Sequence, residues 1–348
     1  MSQQKDSIFV SVIIPCFNED RFIDRCLDSI LQNGYPLDML EILVIDGKST
    51  DRTREIVEKY VKRHSFVRLL DNPKRILASA WNIGIRNGQG EIIMALNAHG
   101  VFRKDYISKC VGYLKEYNAD YVGGIIITTP RNDTKIERGI ATALSHPFGV
   151  GNSYFRIGSE RPTWADTAAF GGYRKGIFEK TGLFNEELAR SQDMEFHLRL
   201  KKAGGKILLA PDMVCDYYIR SSFKEFCRDY FINGFWAIYP FKFAAAAVSW
   251  RHLIPLMFVM SLMIFSILSL LSSYFKWILL FIIGLYALIN LCFSFNLAFK
   301  KRNPQYILLM PLLFTILHLG YGLGSFYAGL KVLGSRRILE NIKIYFRA

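Results

Sequence analysis

Val10-Ser11-Val12-Ile13-Ile14-Pro15-Cys16-Phe17-Asn18-Glu19 decides the fold. Its first half is a β-branched run of the kind that forms a strand buried on both faces, and its second half is a polar turn. Helical spacing follows over residues 18–31, with Phe22, Ile23, Cys26, Leu27 and Ile30 on one face. The pattern then repeats. Residues 41–46 (EILVID) form a second buried strand ending on an acid, and residues 50–62 form a charged amphipathic helix. Residues 67–70 read as a short strand, and 76–87 as a helix closed by Gly88 and Gly90. Residues 91–96 (EIIMAL) are the next strand, which runs into Asn97-Ala98-His99. This alternation predicts an α/β fold, an open and mostly parallel sheet with helices on both faces. Such sheets bind ligands outside the carboxyl ends of their strands. Three polar turns, at 16–19, 46–51 and 97–99, would converge there. Beyond them, 121–128, 168–173 and 206–210 read as strands and 192–203 as a helix. Residues 130–161, rich in glycine and polar groups, are expected to include a mobile loop.

The chain has 348 residues and changes character after Arg251. Residues 253–274, 277–299 and 303–330 contain no Lys, Arg, Asp or Glu. Each is longer than the roughly 18–20 residues that cross a bilayer as a helix. The first two predict full spans. Pro311 and the glycines at 320, 322, 324 and 329 make the third a candidate re-entrant hairpin. Residues 223–251 mix aromatic side chains with Lys224, Arg228, Lys242 and Arg251, which suits an amphipathic segment lying in the head-group layer. The expected organisation is therefore an α/β domain at 1–222, an interfacial segment at 223–251, a transmembrane region at 252–330 and a basic tail at 331–348. The net charge of +14 falls largely beside the apolar stretches, at Lys300, Lys301, Arg302, Lys331, Arg336 and Arg337. That placement fits lipid head groups and membrane topology, and not nucleic acid. Six cysteines without a CxxC spacing read as free thiols in a reducing compartment. With a polar start at residues 1–7, the N-terminal domain is expected to stay in the cytoplasm.

Three motifs in order carry the chemistry. They are the strand and turn at 12–19, Asp46-Gly47-Lys48-Ser49-Thr50-Asp51-Arg52-Thr53, and Gln192-Asp193-Met194-Glu195 with Arg199 one helical turn on. Together they resemble the family 2 glycosyltransferases, inverting enzymes with the GT-A fold that use nucleotide-diphospho-sugars. Asn97-Ala98-His99, Phe170-Gly171-Gly172-Tyr173-Arg174, Gly182-Leu183-Phe184-Asn185-Glu186 and Gln192-Asp193 resemble most the succinoglycan-type exopolysaccharide branch, which carries a C-terminal membrane anchor.

The resemblance implies a role for each matched residue. Pro15, Phe17, Glu19 and Asp46 would hold the base and ribose of the donor, with Asn97 on a ribose hydroxyl. Asp193 would be the catalytic base that takes the acceptor proton. Trp164, Asp166, Glu195 and Arg199 would face the acceptor. The family's metal motif, Asp-x-Asp, reads here as Asn97-Ala98-His99. His99 is its candidate ligand for Mn²⁺ or Mg²⁺, and Asn97 brings no charge where a carboxylate is usual.

The implied activity is transfer of a single sugar, from a UDP-sugar, to a polyprenyl-diphosphate-linked glycan at the cytoplasmic membrane, by a multi-pass protein whose catalytic domain faces the cytoplasm. Direct transfer to polyprenyl phosphate is the alternative enzyme reading. A catalytically inactive membrane scaffold is the alternative from another class. A processive synthase is disfavoured, because no Gln-x-x-Arg-Trp motif follows Asp193.

Overall fold

A computed structural model describes residues 8–219, 222–242 and 250–333. In chain order the elements are β1 (Val10–Cys16), α1 (Ile23–Leu31), β2 (Leu40–Asp46), α2 (Thr53–Arg63), β3 (Val67–Asp71), α3 (Leu77–Asn87), β4 (Ile92–Ala95), β5 (Gly100–Phe102), α4 (Tyr106–Glu116) and β6 (Tyr121–Pro130). Then come α5 (Lys135–Leu144), α6 (Pro147–Val150), α7 (Tyr154–Ile157), β7 (Thr163–Trp164), β8 (Ala169–Arg174), α8 (Ile177–Thr181), α9 (Gln192–Lys202) and β9 (Ile207–Ile219). Four helices follow: α10 (Phe223–Ile238), α11 (Trp250–Leu268), α12 (Ser273–Lys300) and α13 (Tyr306–Leu333). The chain divides into two compact units, one of residues 1–127 with 154–218, the other of residues 128–153 with 219–348.

The first unit is built on a mixed sheet of order β3-β2-β1-β4-β8-β6-β9-β5, with β7 on β9. The first four strands are parallel, and β4–β8, β6–β8, β5–β9 and β7–β9 are antiparallel. Val12 and Ile14 point to one face and Ile13 to the other, and all three are fully buried. Each such side chain contributes about 1.5–3 kcal/mol of burial free energy. That two-sided burial is why the strands read as continuous apolar runs instead of alternating ones. Register matters most at the strand ends. Cys16, Asp46 and Asp71 stand in line across β1, β2 and β3, so the polar turns that follow emerge side by side.

The second unit is helical. Helices α11, α12 and α13 have 19, 28 and 28 residues and are apolar enough to cross a membrane. At about 1.5 Å per residue they measure roughly 28, 42 and 42 Å, against about 30 Å of bilayer hydrocarbon. Residues 303–330 do not form the expected hairpin, because α13 runs unbroken through Pro311. Asn290 of α12 and Thr315 both donate to the Pro311 carbonyl, so the proline lies where polar groups are at hand. The glycines are not breaks either. A Cβ at Gly324 would fall on the carbonyl oxygen of Phe231, and one at Gly234 on that of Tyr321. They let α10 and α13 approach backbone to backbone.

Helix α10, the start of the expected interfacial segment, packs on α13: Gly320 neighbours Cys227, Gly324 neighbours Phe231 and Ala328 packs with Ile238. The pairs rise together, so α10 runs alongside α13 in the same direction. The segment expected to include a mobile loop, 130–161, carries helices α5, α6 and α7. Thr134 caps α5 by accepting from the Glu137 amide at 3.2 Å, and α5 lays Gly139 against Leu309 and Leu313 of α13. His318 Nε2–H donates to the Phe148 carbonyl at 2.7 Å, leaving Nδ1 to accept from Tyr286 OH at 3.0 Å. The expected basic tail lies mostly in 334–348, outside the described residues.

Candidate active site

The turn after β1 and the turn after β2 are stitched together by side-chain hydrogen bonds. Asn18, in the left-handed region at φ 55°, accepts from the Thr50 amide at 2.8 Å, and its own amide donates to Ser49 Oγ at 3.0 Å. The Glu19 amide donates to Thr53 Oγ1 at 2.7 Å, and the Asp20 amide to Asp51 at 3.2 Å. Asp51 also accepts from the Thr53 amide at the head of α2. Partial burial opposes its charge, but these bonds win and hold its carboxyl below the usual range. Asp51 therefore braces the two turns.

Asp46 is completely buried at the end of β2. It accepts from Ser49 Oγ at 2.6 Å, and the Arg54 guanidinium lies 3.4 Å away, shared with Asp71 at 2.6 Å. Burying a carboxylate is tolerable only with such partners. Burial and the adjacent Asp46 push the Cys16 thiol far up, so it stays neutral. Phe17 is different, since its ring is 44% exposed. The Arg75 guanidinium sits 5.4 Å above that ring. A flat exposed ring beside a strand-end carboxylate offers a surface for a planar base.

His99 and Asn97 follow β4. His99 Nε2 is 2.9 Å from the Tyr217 hydroxyl, whose strand β9 pairs with β5 at Gly100. On the other side, Glu19 Oε1 is 3.4 Å from His99 Nδ1. The Asn97 carbonyl accepts from the Gly100 amide, and its side chain is half-buried. Among the described residues no group of three or more His, Cys, Asp or Glu is placed to hold a metal ion. His99 Nδ1 is nonetheless buried without a hydrogen bond. One orphaned imidazole nitrogen facing a carboxylate suits a cation whose remaining ligands come from a diphosphate and water.

Asp193 is the second residue of α9, half-buried, just after Ser191 in the left-handed region. Burial first, and the charge of Asp193 second, push the Tyr121 phenol up. Tyr121 OH donates to the Ala168 carbonyl at 3.0 Å, and two residues on Phe170 packs 5.5 Å from Tyr217. Residues 168–170 thus link the surroundings of Asp193 to those of His99. The next residue, Gly171, leaves no room for a side chain, because a Cβ there would fall on the Val122 carbonyl oxygen.

Beneath Asp193, His197 bridges Tyr173 OH at 2.9 Å and Thr167 Oγ1 at 3.0 Å. Burial lowers its pKa to about 3, so the imidazole is neutral in the native state. The unfolded chain takes up a proton near the ordinary histidine value of about 6.5. Its contribution is full above that value and is lost as pH falls from about 6.5 toward 3, with a slope of about 1.4 kcal/mol per pH unit. Thermal unfolding of His197→Gln should show a flatter pH dependence across this window than the native chain.

The four expected acceptor residues are not gathered at Asp193. Glu195 and Arg199 pair with each other at 2.7 and 2.9 Å, and Arg199 also donates to the carbonyls of Thr181 and Leu183. With Glu195 only 5% exposed, the pair ties α9 to the 181–183 turn. Asp166 is bonded to Lys201, eight residues and about 12 Å along α9 from Asp193. Trp164 is 53% exposed on β7, beside Tyr117 of the α4 terminus and paired with the start of β9. The structure does gather Phe17, Glu19, Asp46, Asn97 and His99 at the strand ends, with Pro15 half-buried in β1 beneath them. Sequence reasoning missed Tyr217, Arg54 and Tyr121. Tyr217 was hidden because Pro211 reads as a strand end, whereas β9 continues through it to Ile219.

Residues 11–182 match glycosyl transferase family 2. A Methanococcus voltae protein, dolichyl N-acetyl-alpha-D-glucosaminyl phosphate 3-beta-D-2,3-diacetamido-2,3-dideoxy-beta-D-glucuronosyltransferase, is 31% identical over 333 residues, covering 92% of this chain and 97% of the relative. The chain belongs to glycosyltransferase family 2 and is a glycosyltransferase with a GT-A catalytic unit and three C-terminal helices long and apolar enough to span a membrane. Succinoglycan biosynthesis protein ExoA of Rhizobium meliloti is 27% identical, covering 90% of this chain and 92% of that one. Among solved structures, the mannosyltransferase PcManGT of Pyrobaculum calidifontis, in complex with GDP-Man and Mn²⁺, shares the fold at a TM-score of 0.59 and 18% identity, over 93% of this chain and 88% of that one.

Proposed function

We propose that this protein is an inverting transferase. It moves one sugar from a nucleotide-diphospho-sugar, a UDP-sugar in the first instance, to a saccharide carried on a polyprenyl phosphate or diphosphate. The catalytic unit faces the cytoplasm, where such donors are made. The observation that carries this reading is that one unit holds both a half-buried carboxylate at the head of α9, Asp193, and a fully buried strand-end carboxylate, Asp46. Pro15, Phe17 and Asp46 receive the nucleoside. Asp193 accepts the acceptor hydroxyl proton as that oxygen bonds to the anomeric carbon. The carbon–oxygen bond to the diphosphate breaks with its electron pair on the leaving group, and the configuration inverts. His99 would hold a divalent cation, which when bound would neutralise charge on that leaving group. The M. voltae relative, whose name specifies a sugar already on dolichyl phosphate as acceptor, supports the lipid-linked saccharide over bare polyprenyl phosphate.

A screen of radiolabelled nucleotide sugars on membranes tests the reading. The expected product is a labelled lipid-linked oligosaccharide. Label confined to a monosaccharide phospholipid would overturn the acceptor assignment, and no incorporation from any donor would overturn the activity.

A further inference from the structure

We propose that Glu19 is a protein ligand of the divalent cation, paired with Nδ1 of His99, and that it replaces the carboxylate missing at Asn97. The proposal rests on the transferase reading only in taking a donor diphosphate as the source of further ligands. The Tyr217 hydroxyl lies 2.9 Å from His99 Nε2, and the two rings pack at 4.8 Å. Tyr217 thereby selects which nitrogen remains for an ion, as outer partners of metal-bound histidines do. The remaining Nδ1 is buried and makes no hydrogen bond. Glu19 Oε1 faces it at 3.4 Å. The two atoms face each other without a hydrogen bond, and a cation between them would be held by both.

The spacing suits that role. Two donors each about 2.1 Å from one octahedral ion, at right angles, lie roughly 3.0 Å apart. Closing the observed gap takes a few tenths of an ångström. The carboxylate also adds the hard oxygen that a lone imidazole lacks, and the mixed set favours Mn²⁺ over Mg²⁺. Glu19 is held in place by its backbone. Its amide donates to Thr53, and its carbonyl accepts from the amides of Phe22 and Ile23 at the head of α1. Its side chain is only 9% exposed, which limits the positions its carboxylate can take.

The test is Mn²⁺ titration of the full chain in detergent, followed by the electron paramagnetic resonance signal of free Mn²⁺, with and without UDP. Glu19→Gln should weaken Mn²⁺ binding at least about tenfold, in keeping with loss of a charged ligand. Asn97→Asp should strengthen it in the native background and restore it in the Glu19→Gln background. UDP binding in EDTA should be the same for Glu19→Gln and the native chain. Native-like Mn²⁺ binding by Glu19→Gln would overturn the proposal. So would a loss of UDP affinity in EDTA that Asn97→Asp does not restore, which would place Glu19 on the nucleotide instead. No turnover enters these measurements, so an inactive chain that titrates as expected would refute the transferase reading and leave the ligand assignment standing.

Discussion

Asp193→Asn should lower turnover about 10²–10⁴-fold, the range for loss of a positioned general base. The substitution keeps the shape of the side chain and removes only its basicity. UDP affinity should therefore stay within about twofold of native, because the donor contacts proposed here lie on Phe17 and Asp46 at the ends of other strands. A steady-state comparison with separate kcat and KM, together with UDP binding, checks this. Equal incorporation by the variant would remove Asp193 from the reaction. The buried surroundings argue that the geometry will survive. The helix carrying Asp193 is fastened by His197 to Thr167 and Tyr173, and by Arg199 to the 181–183 turn, neither of which depends on the Asp193 charge.

The second large effect concerns the helical unit. Gly324→Leu should cost about 1–3 kcal/mol or more, because a side chain there meets the backbone of Phe231, which cannot rotate away. The expected result is a lower unfolding temperature in detergent and faster protease cleavage within α10. Gly329→Leu, five residues on and with nothing within 4 Å, is the control and should be near neutral. Equal behaviour of the two variants would refute close packing of α10 on α13.

The parallel half of the sheet was legible because β1, β2 and β4 are buried on both faces, which demands short continuous apolar runs. The Asp193 helix was legible from its own polar start. Other parts were hidden for definite reasons. Gly139 and Gly149 interrupt the apolar rhythm of residues 135–150 and suggest a loop, yet they face Leu309, Leu313 and Leu317 of α13. Thr134-Lys135-Ile136-Glu137 is a capping signal for α5 that the glycine content masks. The same ambiguity affected Gly320, Gly322 and Gly324, since a missing side chain marks both a bend and a close approach, and only the partner decides which. Glu195 and Arg199 carried the right chemistry for an acceptor site, but their four-residue spacing already allowed them to bond to each other.

The excursion of residues 128–153 out of one unit and into the other bears on how the protein can be dissected. Cutting the chain near residue 220 would remove α13 but leave α5 and α6 behind, with Gly139, Thr142 and Gly149 stripped of their contacts to Leu309, Leu313, Tyr306 and Leu317. Such a truncated form should aggregate. A soluble catalytic fragment requires a second excision, with a short linker joining residue 127 to residue 154.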